Sequence, residues 1–254
     1  MRRLIIEEPY SKAALLSRHL AVFALFVAIL AIIGVKSSAD LIAVLGGAAV
    51  IACVAVLAAL LAFAIIWHSG RQGAGQAFFG LILAVLLLAY PAYLGQQIIR
   101  LPRLHDISTD IADPPSFSIS RAALAARDGT TARSMPLAAR KPQTKAYPEI
   151  QPILLDLDAQ ESFDAVLKAV AANGWRIVEK RAPGGRMGLG HVDAIALSFL
   201  LHFPSDITVR LRPLAGQTRI DIRSVARFGP FDFGAGARNI AKFETALEEI
   251  VNKK

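Results

Sequence analysis

Residues 206–227, DITVRLRPLAGQTRIDIRSVAR, decide the fold of the C-terminal part of this chain. Apolar and polar side chains alternate in two runs, which are separated by Leu214–Gln217 with Gly216 inside it. Alternation on both sides of a glycine-containing turn predicts an antiparallel β-hairpin. Because successive side chains of a strand point to opposite faces, the aliphatic residues are predicted to share the face toward the core. They are Val209, Leu211, Ile220 and Ile222.

The opposite face of the hairpin is charged. It carries Arg210, Arg212, Arg219, Asp221 and Arg223, and Arg227, Asp232 and Arg238 follow. One interpretation is a solvated sheet face whose cross-strand ion pairs contribute only about 0.2–1 kcal/mol each. The other is a ligand-binding site for an anion, because guanidinium groups match carboxylate and phosphate. The glycines of FGPFDFGAGARN, before the last predicted helix, would add backbone N–H groups to such a site.

The segments around the hairpin predict an α+β domain at residues 152–254. PILLDL and WRIVEKR are predicted strands, another strand is expected near 186–201, and helices are expected near 158–174 and 234–252. Asp158 is the expected N-cap of the first helix, with Glu161 at the capping-box position. The order strand, helix, four strands, helix predicts a curved antiparallel sheet with helices on one face.

Residues 101–151 are predicted to form an extended connector that packs on this outer domain. Prolines at 102, 114, 115, 136, 142 and 148 disfavour regular structure, and only a short helix near 119–128 is expected. Asp106, Asp110 and Asp113 lack the spacing, the glycine and the final glutamate of an EF-hand calcium loop. We expect Asp106, Ser108, Thr109 and Asp113 to cap turns through local side-chain hydrogen bonds instead.

Residues 1–100 hold three long apolar runs, near 20–35, 41–67 and 77–99. About 20 such residues in a helix cross the hydrocarbon core of a bilayer, whereas buried helices of soluble proteins rarely stay uncharged for so long. No Asp, Glu, Lys or Arg occurs within the runs, although transporters and proton channels usually keep an ionisable group there. We therefore predict a membrane anchor rather than a conduit.

Small residues cluster in the second run, at Gly46, Gly47, Ala48 and Ala49. Small side chains let helix backbones approach closely in a membrane. We expect this stretch to pack against the other two spans of the same chain rather than to form a dimer interface.

The distribution of Lys and Arg near the span ends predicts the orientation. One side of the bilayer has Arg2, Arg3, Lys12, Arg18 and Arg71, and the other has Lys36, Arg100 and Arg103. This bias favours a cytoplasmic N-terminus, and three spans then place the outer domain outside the cytoplasm. For a protein of a bacterial inner membrane, that compartment is the periplasm.

Charge and cysteine content exclude several classes of function. The net charge is +8, and residues 100–254 hold 22 of the 28 Lys and Arg and 17 of the 20 Asp and Glu. A basic exterior suits an anionic lipid or another anionic envelope partner, and no nucleic-acid-binding motif occurs. Cys53 is the only cysteine and lies in the second run, so an internal disulfide and cysteine-ligated zinc are excluded.

Signatures of catalysis are missing from the sequence. G-x-S-x-G, H-E-x-x-H and the Walker loop do not occur, and His191 and Asp193 have no nucleophile motif beside them. We predict a protein without enzymatic activity, cofactor or metal. The rival hypothesis is a membrane-anchored hydrolase or transferase that uses Asp206, Asp221 and Asp232 with an arginine clamp.

Four blocks between residues 104 and 252 resemble, in order, the blocks of domain-of-unknown-function family 1499. They read LHDISTDIADPPSF, FPSDITVRLRP, TRIDIRSVARFG and FDFGAGARNI. The resemblance implies a membrane-anchored bacterial envelope protein without an agreed activity. It assigns the family positions Asp106, Thr109, Asp110, Asp206, Arg210, Arg219, Asp221, Arg223, Ser224, Arg227, Gly229, Asp232, Gly234 and Arg238. The chain departs from the family pattern at Pro230, Phe231, Gly236 and Asn239.

These observations lead to one main hypothesis about function. The chain is predicted to be a multi-pass protein of the bacterial envelope, whose periplasmic domain binds an anionic lipid or a protein partner through the arginine-rich sheet face. A scaffold or assembly factor, with the spans themselves as the interface, is a further alternative.

Overall fold

The computed structural model describes residues 9–130, 135, 137–184, 188–198 and 200–253. Several predictions fall partly outside this range: Arg2 and Arg3 of the charge bias, Pro136, and Arg186, Met187 and Phe199 of a predicted strand. The chain divides into two compact units between Gln96 and Gln97.

Three helices make up most of the first unit, and they confirm the prediction of three apolar helices in the N-terminal part of the chain. They are α1 (Lys12–Gly34), α2 (Ser38–Ser69) and α3 (Ala74–Arg100). Each is long and apolar enough to cross a membrane. The helices are longer than the apolar runs, since flanking polar residues such as Lys12 and Arg100 are also helical. Large apolar side chains such as Phe26, Leu57 and Leu86 are exposed on the outside of this unit, as expected for a surface that meets lipid.

Alanine fills the interior of the three-helix unit. Ala21, Ala24, Ala52, Ala55 and Ala84 are fully buried in one cluster, and Ser17 Oγ donates a hydrogen bond to the Ala55 carbonyl (2.9 Å). Small side chains of this kind allow close backbone approach without a large apolar core.

The small-residue stretch of α2 follows the prediction only in part. Ala48 is buried within the unit, but a Cβ atom added at Gly46 or Gly47 would meet nothing within 4 Å. The prediction that these two glycines pack against the other spans was therefore wrong, because the helix turns them outward.

The second unit is an α+β domain, which confirms the predicted fold class. Its helices are α4 (Arg121–Ala126), α5 (Leu137–Ala146), α6 (Ala159–Ala172) and α7 (Ala235–Asn252). Its strands are β1 (Asp106–Ser108), β2 (Ile153–Leu155), β3 (Arg176–Arg181), β4 (Gly190–Leu197), β5 (Pro204–Leu214) and β6 (Gln217–Ala226). The sheet has the order β1-β6-β5-β4-β3 with antiparallel neighbours, and β2 also pairs with β6.

The β5–β6 hairpin forms the centre of the sheet in the predicted register. Arg210 lies opposite Asp221 and Leu214 lies opposite Gln217, so the turn falls where the glycine predicts it. The four aliphatic residues of the hairpin are fully buried, and α6 and α7 contribute Val166 and Phe243 to the same core. The N-cap of α6 is confirmed, because Asp158 Oδ1 accepts a hydrogen bond from the Glu161 N–H (2.7 Å).

Part of the predicted connector belongs to the sheet. β1 pairs with the outer edge of β6, next to the position of β2 on the same edge. Leu104 and Ile107 are buried in the domain core. On the free side of β1, the buried Gln143 amide accepts from the Ser108 N–H (3.2 Å) and donates to the Ser108 carbonyl (2.6 Å). The backbone N–H and carbonyl of Ser108 on the unpaired edge of this short strand are thus hydrogen-bonded by a side chain of α5.

A candidate functional site in the arginine–aspartate network

The charged face of the hairpin is covered by the chain itself. Residues 110–120, which we call the strap, cross this face: the Ser118 N–H donates to Asp193 Oδ2 (2.9 Å), and Arg223 Nη1 donates to the Pro115 carbonyl (3.1 Å). Thr208 and Asp221 are fully buried beneath it. The interpretation as a solvated sheet face therefore fails where the strap covers the surface, but its cross-strand ion pair is present between Arg210 and Asp221.

Arg223 is engaged in a buried ion pair with the first residue of β1. Its Nε and Nη2 atoms donate to the two carboxylate oxygens of Asp106, at 2.8 and 2.6 Å. Phe117 of the strap lies against the guanidinium, with its ring centroid 5.5 Å from Cζ. Both charged side chains are buried, so this pair fixes β1 and the strap to β6.

Arg227 makes a second, separate pair at the end of β6. Its Nε and Nη2 atoms donate to Asp206 at 2.7–3.0 Å, and Nη2 also donates to the carbonyl of Ala126, the last residue of α4 (3.1 Å). Asp128, an exposed residue, accepts from Nη1 at 3.2 Å. One guanidinium therefore connects β5, β6 and the end of α4.

The largest group of charges surrounds Asp221, which is fully buried. Asp221 Oδ2 accepts from Arg210 Nε (3.0 Å) and Nη2 (2.8 Å), while Oδ1 accepts from Arg219 Nε (2.8 Å). Asp110 of the strap bridges the same two arginines through Oδ2, at 3.3 and 2.6 Å. The hydrogen bond with Asp221 raises the pKa of Arg219. Two carboxylates and two guanidinium groups thus neutralise each other.

The strap reaches solvent where this group meets Asp113. Arg210 Nη1 donates to Asp113 Oδ2 (2.9 Å), and Arg212 Nη2 donates to the same oxygen (3.2 Å). The Asp113 side chain is 69% exposed and that of Arg212 is 36% exposed. We call Asp113, Arg210, Arg212 and Arg219 the rim. Within the described part of the network, the rim is the place where several arginine side chains are partly exposed to solvent.

A further buried group joins the strap to β3 and β4. Arg127 and Asp193 are both buried, with Nη1 and Oδ2 3.5 Å apart, and the Arg127 guanidinium lies over the Phe117 ring at 5.1 Å. His191 Nε2 lies 2.9 Å from Asp193 Oδ1, outside hydrogen-bonding geometry. Hydrogen bonds from Ser120 and Ser118 lower the pKa of Glu179. The sequence pattern drew attention to His191 and Asp193 only as a pair without a nucleophile motif and gave no link to Arg127.

Asp232 caps the start of α7 instead of joining the network. Its carboxylate accepts from the Gly234 N–H (2.8 Å) and the Gly236 N–H (2.7 Å), and burial raises its pKa. The predicted anion position at these glycines is therefore occupied by the chain's own carboxylate. Arg238 donates to the Phe233 carbonyl (2.9 Å) and belongs to the same helix start.

A protein-family model matches the part of the chain that contains this network. The family model described as "Protein of unknown function (DUF1499)" matches residues 106–247, more than half of the chain. This chain belongs to the DUF1499 family. A search of curated proteins finds no match.

The span matched by the DUF1499 model contains the network and its covering segments. It begins at Asp106, the partner of Arg223, and includes the strap and the β5–β6 hairpin. Thr109 continues the pairing of β1, since its N–H donates to the Ile222 carbonyl and its Oγ1 accepts from the Ile222 N–H, both at 2.9 Å. The prediction that Asp106 and Asp113 cap turns was wrong, because both carboxylates pair with arginines. Asp110 caps the turn, since its Oδ1 accepts from the N–H groups of Ala112 and Asp113.

The structure brings together only some of the predicted site residues of this DUF1499 protein. Arg210, Arg212, Arg219 and Asp221 share one group with Asp110, whereas Arg223, Arg227, Asp232 and Arg238 lie in other groups. The sequence analysis did not assign Asp113, Phe117, Arg127 or Asp193 to this site. The sequence does not predict that β1 pairs with the sheet or that the strap covers its charged face. The aspartates of this segment were therefore the only sign that it contacts the arginines.

Proposed function

We propose that this protein is a multi-pass protein of the bacterial inner membrane whose DUF1499 domain lies in the periplasm and binds an acidic protein partner at the rim, without catalysis. The observation that carries the proposal is the position of Asp113. An exposed carboxylate on the strap occupies Arg210 Nη1 and Arg212 Nη2, and an acidic side chain of a partner fits the same arginine pair.

Burial supports the restriction of binding to the rim. Arg223 and its carboxylate partner are buried, and displacing that carboxylate would leave a buried charge unpaired, which costs several kcal/mol. Asp113 is far more exposed, and exposed ion pairs contribute about 0–1 kcal/mol. A carboxylate from a partner can therefore replace Asp113 at small cost, and Asp110 and Asp221 keep Arg210 and Arg219 in place.

The position of the rim along the sheet favours a protein partner over a lipid headgroup. The chain enters the domain at the end of the sheet where Ser205 lies. There the His105 carbonyl accepts from the Ala226 N–H (2.8 Å), and Ala226 lies opposite Ser205 on the neighbouring strand. Arg212 lies seven residues further along β5, about 23 Å at ~3.3 Å per residue. The rim therefore lies at the opposite end of β5 from the place where the chain enters the domain.

The separation of the carboxylates supports a function without catalysis. Asp206 pairs with Arg227, Asp221 with Arg210 and Arg219, and Asp232 with backbone N–H groups. Asp206 lies four residues from Arg210, the register partner of Asp221, which corresponds to about 13 Å along the strand. The rival hydrolase requires at least two of these carboxylates at one substrate.

Binding of a fluorescent tetraglutamate peptide to the full-length protein in neutral detergent tests the proposal. Removing the competing carboxylate in Asp113→Asn should strengthen binding, and Arg212→Gln should weaken it. Asp128→Asn is the matched control, because Asp128 is 87% exposed and pairs with Arg227 outside the rim, and it changes the net charge equally. Equal effects of Asp113→Asn and Asp128→Asn would contradict the rim. If phosphatidylglycerol vesicles displace the peptide, and Asp113→Asn and Arg212→Gln change vesicle binding in the same directions, a lipid partner would be favoured instead.

A further inference from the structure

One end of the sheet exposes a cluster of apolar side chains. Leu197 and Leu200 lie at the β4–β5 connection, and Phe228 lies just after β6; all three are exposed. The Phe228 ring stacks on Phe203, with centroids 6.0 Å apart. We call these four residues the apolar end. A cluster of large apolar side chains at loop tips is typical of a surface that meets another apolar phase.

The chain enters the domain at this same end. The Pro204 carbonyl accepts from the Arg227 N–H (3.2 Å), and the Leu104 carbonyl accepts from the Asp232 N–H (2.9 Å). Helix α3 ends at Arg100 and β1 begins at Asp106, so the five residues between them reach at most about 18 Å. Leu104 is already buried in the domain core, which shortens the free segment further.

Exposed cationic side chains accompany the apolar end. Arg100 and Arg103 precede β1, and Arg238 lies in the first turns of α7, all exposed. The carboxylates of Asp206 and Asp232 at this end are buried, and the exposed Asp128 is paired with Arg227. Arginines next to exposed leucine and phenylalanine side chains match the chemistry of the interface of an anionic bilayer.

We propose that the apolar end docks on the surface of the bilayer that holds the protein's own anchor. Leu197, Leu200 and Phe228 enter the boundary between headgroups and acyl chains, and the neighbouring arginines bind lipid phosphates. The short segment after Arg100 selects the bilayer as the occupant, since it holds this end within reach of the interface. This docking surface lies at the opposite end of β5 from the rim, and it does not depend on anion binding there.

Depth-dependent quenching tests the docking surface in the full-length protein. In a Cys53→Ser background, Leu200→Cys or Leu214→Cys carries an environment-sensitive fluorophore, and the protein is reconstituted in phosphatidylcholine vesicles that contain phosphatidylglycerol and headgroup spin-labelled lipid. Leu214 is the matched control, because it is 44% exposed against 39% for Leu200 and lies at the far end of β5. We expect quenching at Leu200 to exceed that at Leu214 by roughly twofold or more, because docked side chains enter the boundary by about 5–10 Å.

Equal quenching at the two positions, or a Leu200 probe that stays as water-exposed as the Leu214 probe, would overturn the proposal. Phe228→Cys provides a second probe in a different loop, so a local disturbance of the β4–β5 connection cannot decide the result. The peptide-binding comparison of Asp113→Asn addresses the rim alone, and failure of one experiment leaves the other interpretable.

Discussion

Arg223 and Arg212 leave the same face of the hairpin, and their surroundings give them different roles. Arg223 is buried, pairs with both oxygens of Asp106 and lies against Phe117. Arg212 contacts Asp113 at the protein surface and keeps much of its side chain in water. A buried ion pair becomes costly when one partner is lost, whereas an exposed pair contributes little. Burial therefore separates structural arginines from those that can meet a ligand.

The first prediction concerns this buried pair. Replacing Asp106 by Asn leaves the Arg223 charge buried without its carboxylate, and we expect the free energy of unfolding of the outer domain to fall by about 3–5 kcal/mol. Arg212→Ala should change it by less than about 1 kcal/mol. Urea unfolding followed by the fluorescence of Trp175, which stacks on Phe243 in the core, measures both. Similar losses in the two variants would contradict the assignment of roles.

The second prediction concerns Glu179 and acid stability. Ser120 and Ser118 donate to the Glu179 carboxylate and hold its pKa below the ordinary value. Since the unfolded chain regains the ordinary pKa of about 4.3, ionised Glu179 stabilises the fold above that pH. This contribution is lost as the pH falls through the lowered pKa of the folded state.

Thermal unfolding of wild type and Glu179→Gln as a function of pH measures this contribution. The variant should be less stable than wild type near neutral pH, and the difference should shrink on acidification. Parallel curves over the whole acidic range would show that the serine hydrogen bonds have no such effect.

At the scale of elements, the hairpin shows what sequence patterns can predict and what they cannot. Alternation placed Val209 and Ile222 toward the core and Arg210 and Asp221 opposite, and the register confirms this. Periodicity within one segment carries no information about a distant segment that covers it. The strap has an irregular backbone around its two prolines, Pro114 and Pro115. Its side chains follow no period, so its position over the charged face was not predictable.

Short strands show the same limit. β1 has only three residues, too few for an alternating pattern, and its place in the sheet depends on Thr109 and on the amide of Gln143. Ion-pair partners were likewise unpredictable: the sequence contained Asp106, Asp110 and Asp113, but only the fold assigns each one to a particular arginine.

The packing of α3 against α1 gives the third prediction. A Cβ atom at Gly80 would lie 2.8 Å from the backbone nitrogen of Arg18 and 2.9 Å from the carbonyl carbon of Ser17. Backbone atoms cannot move aside as a flexible side chain does, so Gly80→Ala should destabilise the three-helix unit by about 1–3 kcal/mol. Gly75→Ala on the same helix is the control, because nothing lies within 4 Å of its added Cβ.

Resistance of α1–α3 to thermal or denaturant unfolding in detergent measures this difference. Gly80→Ala should lower the midpoint, and Gly75→Ala should leave it unchanged or raise it, since alanine favours helix over glycine. Equal midpoints would contradict the close contact between the two helices.

At the scale of the whole molecule, the protein combines three apolar helices with a DUF1499 domain that begins soon after the last of them. The segment after Arg100 is not a free tether, because Leu104 and Ile107 enter the domain core and Asp106 pairs with Arg223. The arginines first identified as a candidate anion site mostly neutralise the chain's own aspartates. The rim and the apolar end remain as the two surfaces available to partners in our proposals.

Hydrogen–deuterium exchange of the full-length protein tests most directly the central claim that residues 106–118 form part of the domain. The Thr109 N–H donates to the Ile222 carbonyl and the Ser118 N–H donates to buried Asp193, so peptides covering these residues should exchange as slowly as those of β5 and β6. Exchange of residues 106–118 at the rate of an unprotected peptide, while β5 and β6 stay protected, would contradict the account.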